Sequence, residues 1–292
     1  MLGPILFVCF INDLPLEVKK SLCKLFADDS KLYGAINKNE AESIQDDLDK
    51  IVDWSKKCQL PFNETKCKVI HVGKSNLKKT YTMNLQALET SDAEKDLGVI
   101  VDNSLKFHVY VASAVKKANQ VLGTIKRTYK TRDPDTIKLL YTAMIRPLLE
   151  YGNIIWGPHY IEDKRSVEKI QRRATKIING MQNFSYEERL CKLNLPSLGY
   201  RRKCGDLVYC YKIMHGLVRI DKNLFFTPVG HNWTRGHSMR VRKNKATRRP
   251  RMDCFTTRVA NNWNKLLQSI VDAPSLDSFK SQLDMYLNDE KF

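Results

Sequence analysis

Apolar positions come in short runs over the first hundred residues and then recur at helical spacing to the C-terminus. Pro4 to Ile11 is the longest apolar run, and Ile5 to Ile11 suits a helix or buried segment after the Gly3-Pro4 turn. Leu22 to Ala27 and Leu32 to Ile36 read as strands, with Asp28 and Asp29 at the tip of their hairpin. Glu40 to Cys58 places Ala41, Ile44, Leu48, Ile51 and Val52 on one face of an amphipathic helix. Lys68 to Val72, Tyr81 to Leu85 and Leu97 to Val101 read as further strands, the last turning at Asp102-Asn103. Together they predict a small antiparallel sheet with helices on one face.

From about residue 107 the period is 3.6. Val111, Val115, Ala118, Leu122 and Ile125 share a helix face. Asp133-Pro134 reads as a cap and first helical residue, followed by Ile137, Leu140, Tyr141, Met144 and Leu148 on one face. A helix from Asp163 to Gly180 would bury Val167, Ile170, Ala174 and Ile177, and Ser185 and Glu188 have capping-box spacing. Leu198 to His215 is a further helix ended by Gly216. Phe255 to Ile270 and Pro274 to Leu287 read as two closing helices with Val259, Trp263, Leu266, Phe279, Leu283 and Tyr286 as core. The fold class is therefore α+β, a sheet-bearing part followed by a mostly α-helical one. The expected segments are 1–106, a helical region 107–220, a basic loop-rich stretch 221–254, and C-terminal helices 255–292.

The 292 residues hold 49 Lys and Arg against 32 Asp and Glu, a formal net charge of +17. That surplus favours a polyanionic partner, nucleic acid or an anionic membrane surface. No apolar run approaches the length of a membrane span, and Pro4–Ile11 is too short and lacks the basic leader of a signal peptide. An intracellular place, nuclear or cytoplasmic, is the expectation. None of the eight cysteines makes a C-x-x-C pair, so reduced thiols are expected rather than a zinc module. Cys204 and Cys210 flank an apolar stretch and read as core thiols.

Asp28 and Asp29 are the candidate chemistry. Two carboxylates this close repel and raise each other's pKa unless a cation lies between them. Mg²⁺ suits such a site, taking one or two carboxylates plus waters and substrate phosphates. The plain alternative is that Asp favours turns for its local hydrogen bonding. Arg165, Lys169, Arg172 and Lys176 recur on one helical face, able to track a phosphate backbone or to form a solvated basic surface. The run Arg235, Arg240, Arg242, Lys243, Lys245, Arg248, Arg249 and Arg251 has no acidic residue among it. Self-repulsion should keep it loose when unbound, and its lack of aromatics argues for phosphate rather than base contacts.

Leu2-Gly3-Pro4-Ile5-Leu6-Phe7, Phe10-Ile11-Asn12-Asp13-Leu14-Pro15 and Phe26-Ala27-Asp28-Asp29 resemble the palm of reverse transcriptases of jockey-like non-LTR (LINE) retrotransposons. Asn63-Glu64-Thr65-Lys66, Glu94-Lys95-Asp96-Leu97-Gly98-Val99, Arg146-Pro147-Leu148-Leu149-Glu150-Tyr151-Gly152 and Gln171-Arg172-Arg173-Ala174 are similar to later blocks, in order. Leu193-Asn194-Leu195-Pro196 and Trp263-Asn264 resemble the C-terminal tail.

The resemblance implies an RNA-directed DNA polymerase. In it, Asp28 and Asp29 ligate Mg²⁺ with a third carboxylate from an upstream strand. Lys66 lies near the departing pyrophosphate, though Lys68 could be confused with it. Leu97, Gly98 and Val99 form the primer-gripping hairpin. RNA template, DNA primer and deoxynucleotides are the implied partners. The chain begins inside the Leu-Gly-Pro block, so the resemblance implies a partial palm, thumb and tail that are inactive alone. A non-catalytic basic RNA- or DNA-binding remnant is the alternative.

Overall fold

The computed structural model describes residues 2–36, 43–158, 160–229, 236–243, 245–246 and 251–292, in two compact units, Met1–Leu105 and Lys106–Phe292.

The first unit opens with α1 (Gly3–Ile11), started by Pro4 in its first turn, and a short 3-10 turn at Leu14–Leu16. An antiparallel hairpin follows, β1 (Leu22–Phe26) and β2 (Asp29–Tyr33), and then α2 (Ser43–Lys57). Leu48, Ile51 and Val52 are buried on α2, as the helical pattern requires; Glu40 and Ala41 lie outside the described residues. Ile11, Leu14, Ile51 and Trp54 form one small core, against which Leu25 and Leu32 of the hairpin pack.

The rest of the unit corrects the expected sheet. β3 (Lys68–Val69), β4 (Thr82–Met83), β5 (Gln86–Ala87), β6 (Glu89–Thr90), β7 (Ala93–Asp96) and β8 (Val99–Asp102) make no continuous layer. Among the described residues they pair as β3–β6, parallel, and as the hairpins β4–β5 and β7–β8. Strands of two to four residues fill their ladders with a single partner and offer no edge long enough to recruit another. Leu97 is also not in a strand. Leu97 and Gly98 are the two-residue turn of β7–β8, with φ of 44° and 88°. Positive φ at both central positions is the turn whose twist matches flanking strands, and Gly98 supplies one of them without penalty.

The second unit is helical. α3 (His108–Thr128) buries Val111, Ala114, Ala118, Leu122 and Ile125, with Val115 half-buried. α4 (Pro134–Leu140) is capped by the Asp133 carboxylate, which accepts the Thr136 N–H at 2.9 Å. A π-turn over Tyr141–Ile145 then leads into α5 (Arg146–Glu150). Its wider turn shifts the buried face, so the stripe runs Ile137, Tyr141, Ile145, Leu149. Met144 is exposed and Leu148 only half-buried, against the plain 3.6 reading.

Beyond α6 (Asn153–Trp156), α7 (Ile161–Lys176) packs on α3 and α8 (Tyr186–Leu193) and buries Val167, Ile170 and Ala174. The stripe ends at Ile178 rather than Ile177, because the helix has already stopped. Ser185 and Glu188 form the expected capping box on α8. α9 (Leu198–Met214) ends at Gly216, whose φ is 66°. After α10 (Lys222–Phe225), three closing helices appear instead of two: α11 (Phe255–Asn264), α12 (Gln268–Val271) and α13 (Leu276–Tyr286). Their core holds Val259, Trp263, Leu266, Phe279, Leu283 and Cys210, while Tyr286 faces out and Leu287 is buried in its place. Arg258 fastens α11 to α9 and α6, donating to both Asp206 oxygens (2.8 and 2.7 Å) and to the carbonyls of Asn153 and Ile154.

Candidate active site and nucleic-acid interface

The hairpin is tighter than its apolar runs suggest. Phe26 pairs with Asp29, so β2 starts at Asp29 rather than Leu32 and the turn is Ala27-Asp28 alone. Ala27 takes φ 50°, the left-handed region that favours glycine. Local turn chemistry would put Gly or Asn there, and neither aspartate carries that positive φ. Leu25 and Leu32 turn inward, while Phe26, Asp28, Asp29 and Lys31 are exposed. Two adjacent carboxylates thus stand in solvent at the apex of a hairpin whose other face is in the core.

Two interactions hold that hairpin in place. Asp47 on α2 is fully buried, and its carboxylate accepts the N–H of Lys19, Lys20 and Ser21 (3.2, 2.7 and 2.7 Å), the Ser21 hydroxyl (2.7 Å) and the Lys50 ammonium (3.1 Å). Burial alone would raise its pKa, but these donors outweigh it and hold the carboxyl well below the usual range. The residues leading into β1 are therefore pinned. Lys31 on β2 pairs with Asp96, the residue before the Leu97-Gly98 turn, so the aspartate hairpin and the β7–β8 hairpin are neighbours. Leu97 is exposed at that second tip, and Val99 is buried behind it.

Lys66 ends an exposed 3-10 turn, Glu64–Lys66, and among the described residues no hydrogen bond or ion pair ties it to either aspartate. Lys68, which could be confused with it, is engaged with Glu89. Asp28 and Asp29 with waters and substrate phosphates form a donor set that Mg²⁺ accepts in kind. Among the described residues no three His, Cys, Asp or Glu side chains gather into a metal site.

In the helical unit, Arg165, Lys169, Arg172 and Lys176 all lie exposed on α7, opposite its buried stripe. Arg172 stacks over the Tyr186 ring at 4.7 Å. Beside α7, a groove of about 700 Å³ runs against α3, lined by His108, Lys116, Asn119, Asp163 and Ser166, with His108 Nδ1 2.7 Å from the buried Asp163 carboxylate. Arg242 and Lys243 are exposed; Arg248 and Arg249 lie outside the described residues.

Asp47 was not legible as a site residue, because beside the first-turn acid Asp46 it looks like another solvated acid near the start of a helix. Nor was the role of Asn264. The Asn264 side chain accepts the Val241 N–H (2.9 Å) and donates to the Val241 carbonyl (2.8 Å). A polar residue one step beyond a core Trp was the available signal. These bonds overturn the expected looseness of the basic stretch over 236–243, where Val241 and His237 are buried.

No helix among the described residues is long and apolar enough to cross a membrane. No protein-family profile and no solved structure match the chain. Curated relatives do. The chain is 25% identical over 196 residues to a probable RNA-directed DNA polymerase from transposon BS of Drosophila melanogaster, a match covering 61% of this chain and 21% of the relative. It is 22% identical over 194 residues to the probable polymerase from the X-element of the same fly, covering 63% and 21%. It is 23% identical over 219 residues to the RNA-directed DNA polymerase from mobile element jockey of Drosophila funebris, covering 68% and 23%. Spanning about a fifth of the length of these relatives, the chain is related to the reverse transcriptases of jockey-like non-LTR retrotransposons.

Proposed function

We propose that the chain supplies the aspartate hairpin, primer-gripping turn and basic helical part of a retrotransposon RNA-directed DNA polymerase, with its boundaries near residues 106, 220 and 254. Asp28 and Asp29 would hold Mg²⁺, which when bound supplies charge neutralisation to the primer 3′ oxygen and the triphosphate. Asp28 is the stronger ligand and Asp29 the weaker partner. The two carboxylates fix negative charge at one point, on a hairpin that Asp47 pins at its start and the Lys31–Asp96 pair ties to the β7–β8 hairpin. Gly98 permits close approach of a primer backbone. Lys66 would place a positive charge, and a proton on Nζ, near the departing pyrophosphate. RNA template and DNA primer would lie against basic side chains including Arg165, Lys169, Arg172 and Lys176.

The observation that carries this reading is the Ala27-Asp28 turn. Both aspartates stand in solvent, and among the described residues neither carboxylate accepts the local hydrogen bond that commonly places Asp in a turn. Two carboxylates alone should hold Mg²⁺ weakly, because the ion demands near-octahedral geometry and keeps its waters. The 292-residue chain by itself is therefore expected not to extend a primer on an RNA template. Robust extension with Mg²⁺ would overturn that expectation.

A second reading is a non-catalytic nucleic-acid-binding protein, favoured by the exposed basic face of α7. It requires RNA binding to survive Asp28→Ala with Asp29→Ala and to weaken when Arg165 and Lys169 are neutralised. Loss in the first variant without loss in the second rejects it.

A further inference from the structure

Residues 236–243 should resist order, because their neighbourhood in sequence is basic and self-repelling. The fold instead grips them. Val229 N donates to the Arg240 carbonyl at 3.0 Å and Arg242 N donates to the Thr227 carbonyl at 2.7 Å, pairing Pro228 with Val241 in an antiparallel bridge. From the other side, three side chains of the α11–α12 segment bind the backbone of the same stretch. Trp263 Nε1 donates to the Met239 carbonyl (2.8 Å), Asn264 engages both Val241 groups, and Gln268 accepts the Ser238 N–H (2.8 Å). His237 Nε2 faces the Trp263 carbonyl at 2.9 Å. Gly236, at φ 130°, lets the Arg240 side chain pass where a Cβ would meet its Cδ at 3.0 Å.

The consequence is a held boundary between core and solvent: Val241 is 1% exposed and sits in the core, while Arg242 and Lys243 directly after it are exposed. Among the described residues, no acidic side chain pairs with Arg242 or Lys243. Fixing a backbone residue costs conformational entropy, and here the folded protein has met that cost before any ligand arrives, which is how pre-organisation raises affinity. Holding unpaired cations together against their own repulsion suits a row of anions.

We propose that Trp263, Asn264 and Gln268 are positioning residues that hold the segment around the Pro228–Val241 bridge so that it presents Arg242 and Lys243 to the phosphate backbone of a nucleic acid. The inference rests on the nucleic-acid reading above and gives it a place and a device. The likeness to RNA-directed DNA polymerases favours nucleic acid over an anionic membrane surface.

The test is equilibrium binding of a fluorescein-labelled single-stranded RNA by the full chain across a salt series. Arg242→Ala with Lys243→Ala should flatten the log–log salt slope by roughly 0.7 per lost phosphate contact, about 1.4 in all. Asn264→Ala should flatten it as well, and should add nothing in the background of the charge variant. A purely structural Asn264 would lower the melting temperature and leave the slope alone. Should Asn264→Ala fail to fold, Gln268→Ala, at an exposed position, removes the Ser238 contact and should flatten the slope in part. An unchanged slope in the charge variant, or independent effects of the charge and Asn264 variants, overturns the proposal. Absence of RNA binding by the wild-type chain overturns the nucleic-acid reading itself. Tighter binding to phosphatidylserine vesicles than to RNA at equal salt overturns the choice of partner.

Discussion

The Asp47 carboxylate on α2 accepts the Ser21 backbone N–H at 2.7 Å, one residue before β1 begins. It is a buried anion inside a ring of donors, and it sets where the aspartate hairpin starts.

Asp47→Asn removes the charge and turns one accepting oxygen into a donor facing donors. The expected loss of stability is about 2 kcal/mol, in the range for an unsatisfied buried group at a charge-assisted site. The sign of the pH effect follows from the lowered pKa. The folded protein binds this proton less readily than the unfolded chain, so the contribution is complete above the unfolded value of about 3.9 and fades as pH falls below it. Urea unfolding at neutral pH and at pH 3 measures both; equal losses for the wild type and Asp47→Asn on acidification would contradict the assignment.

Ala27 sits at φ 50° in the turn that carries Asp28. Left-handed backbone costs a residue with a Cβ about 1 kcal/mol, and glycine avoids it while gaining entropy in the unfolded chain. Ala27→Gly is therefore expected to stabilise the first unit by about 0.5 kcal/mol. A destabilisation of 1 kcal/mol or more by the same unfolding measurement would show that the turn is not strained.

The π-turn over Tyr141–Ile145 makes a register prediction. Ile145 is 0% exposed and Met144 is 50% exposed. Ile145→Ala should cost about 2–5 kcal/mol, and Met144→Ala about 0.5 kcal/mol or less. A straight α-helix would reverse that order, and thermal melts of the two variants distinguish the cases.

These particulars show what the sequence carries and what it does not. Helix faces were legible where the period stayed regular, on α3 and α7, and one helix start was legible from its caps, the Ser185–Glu188 box of α8. The period failed at Met144 and Leu148 because a π-turn is set by packing around it rather than by the residues in it. Strand pairing in the first unit was illegible for a different reason. Two-residue strands such as Lys68–Val69 hold too few side chains to show an alternation. At the site, the aspartates could be picked out from adjacency and flanking blocks. Their supports could not, since Asp47 and Asp96 act at 26 and 65 residues' separation from Ser21 and Lys31. The basic stretch was misread over 236–243 because its charge was visible and its clamp, in Trp263 and Asn264, was not.

The central claim is that the tip of the β1–β2 hairpin is a divalent-metal position. Mn²⁺ titrated into the isotope-labelled chain, with paramagnetic broadening read residue by residue, tests it most directly. The account predicts broadening centred on Phe26 to Ser30 at millimolar Mn²⁺, reversed by excess Mg²⁺ and abolished in Asp28→Asn with Asp29→Asn. Broadening that centres elsewhere, or that survives in the double variant, would contradict it.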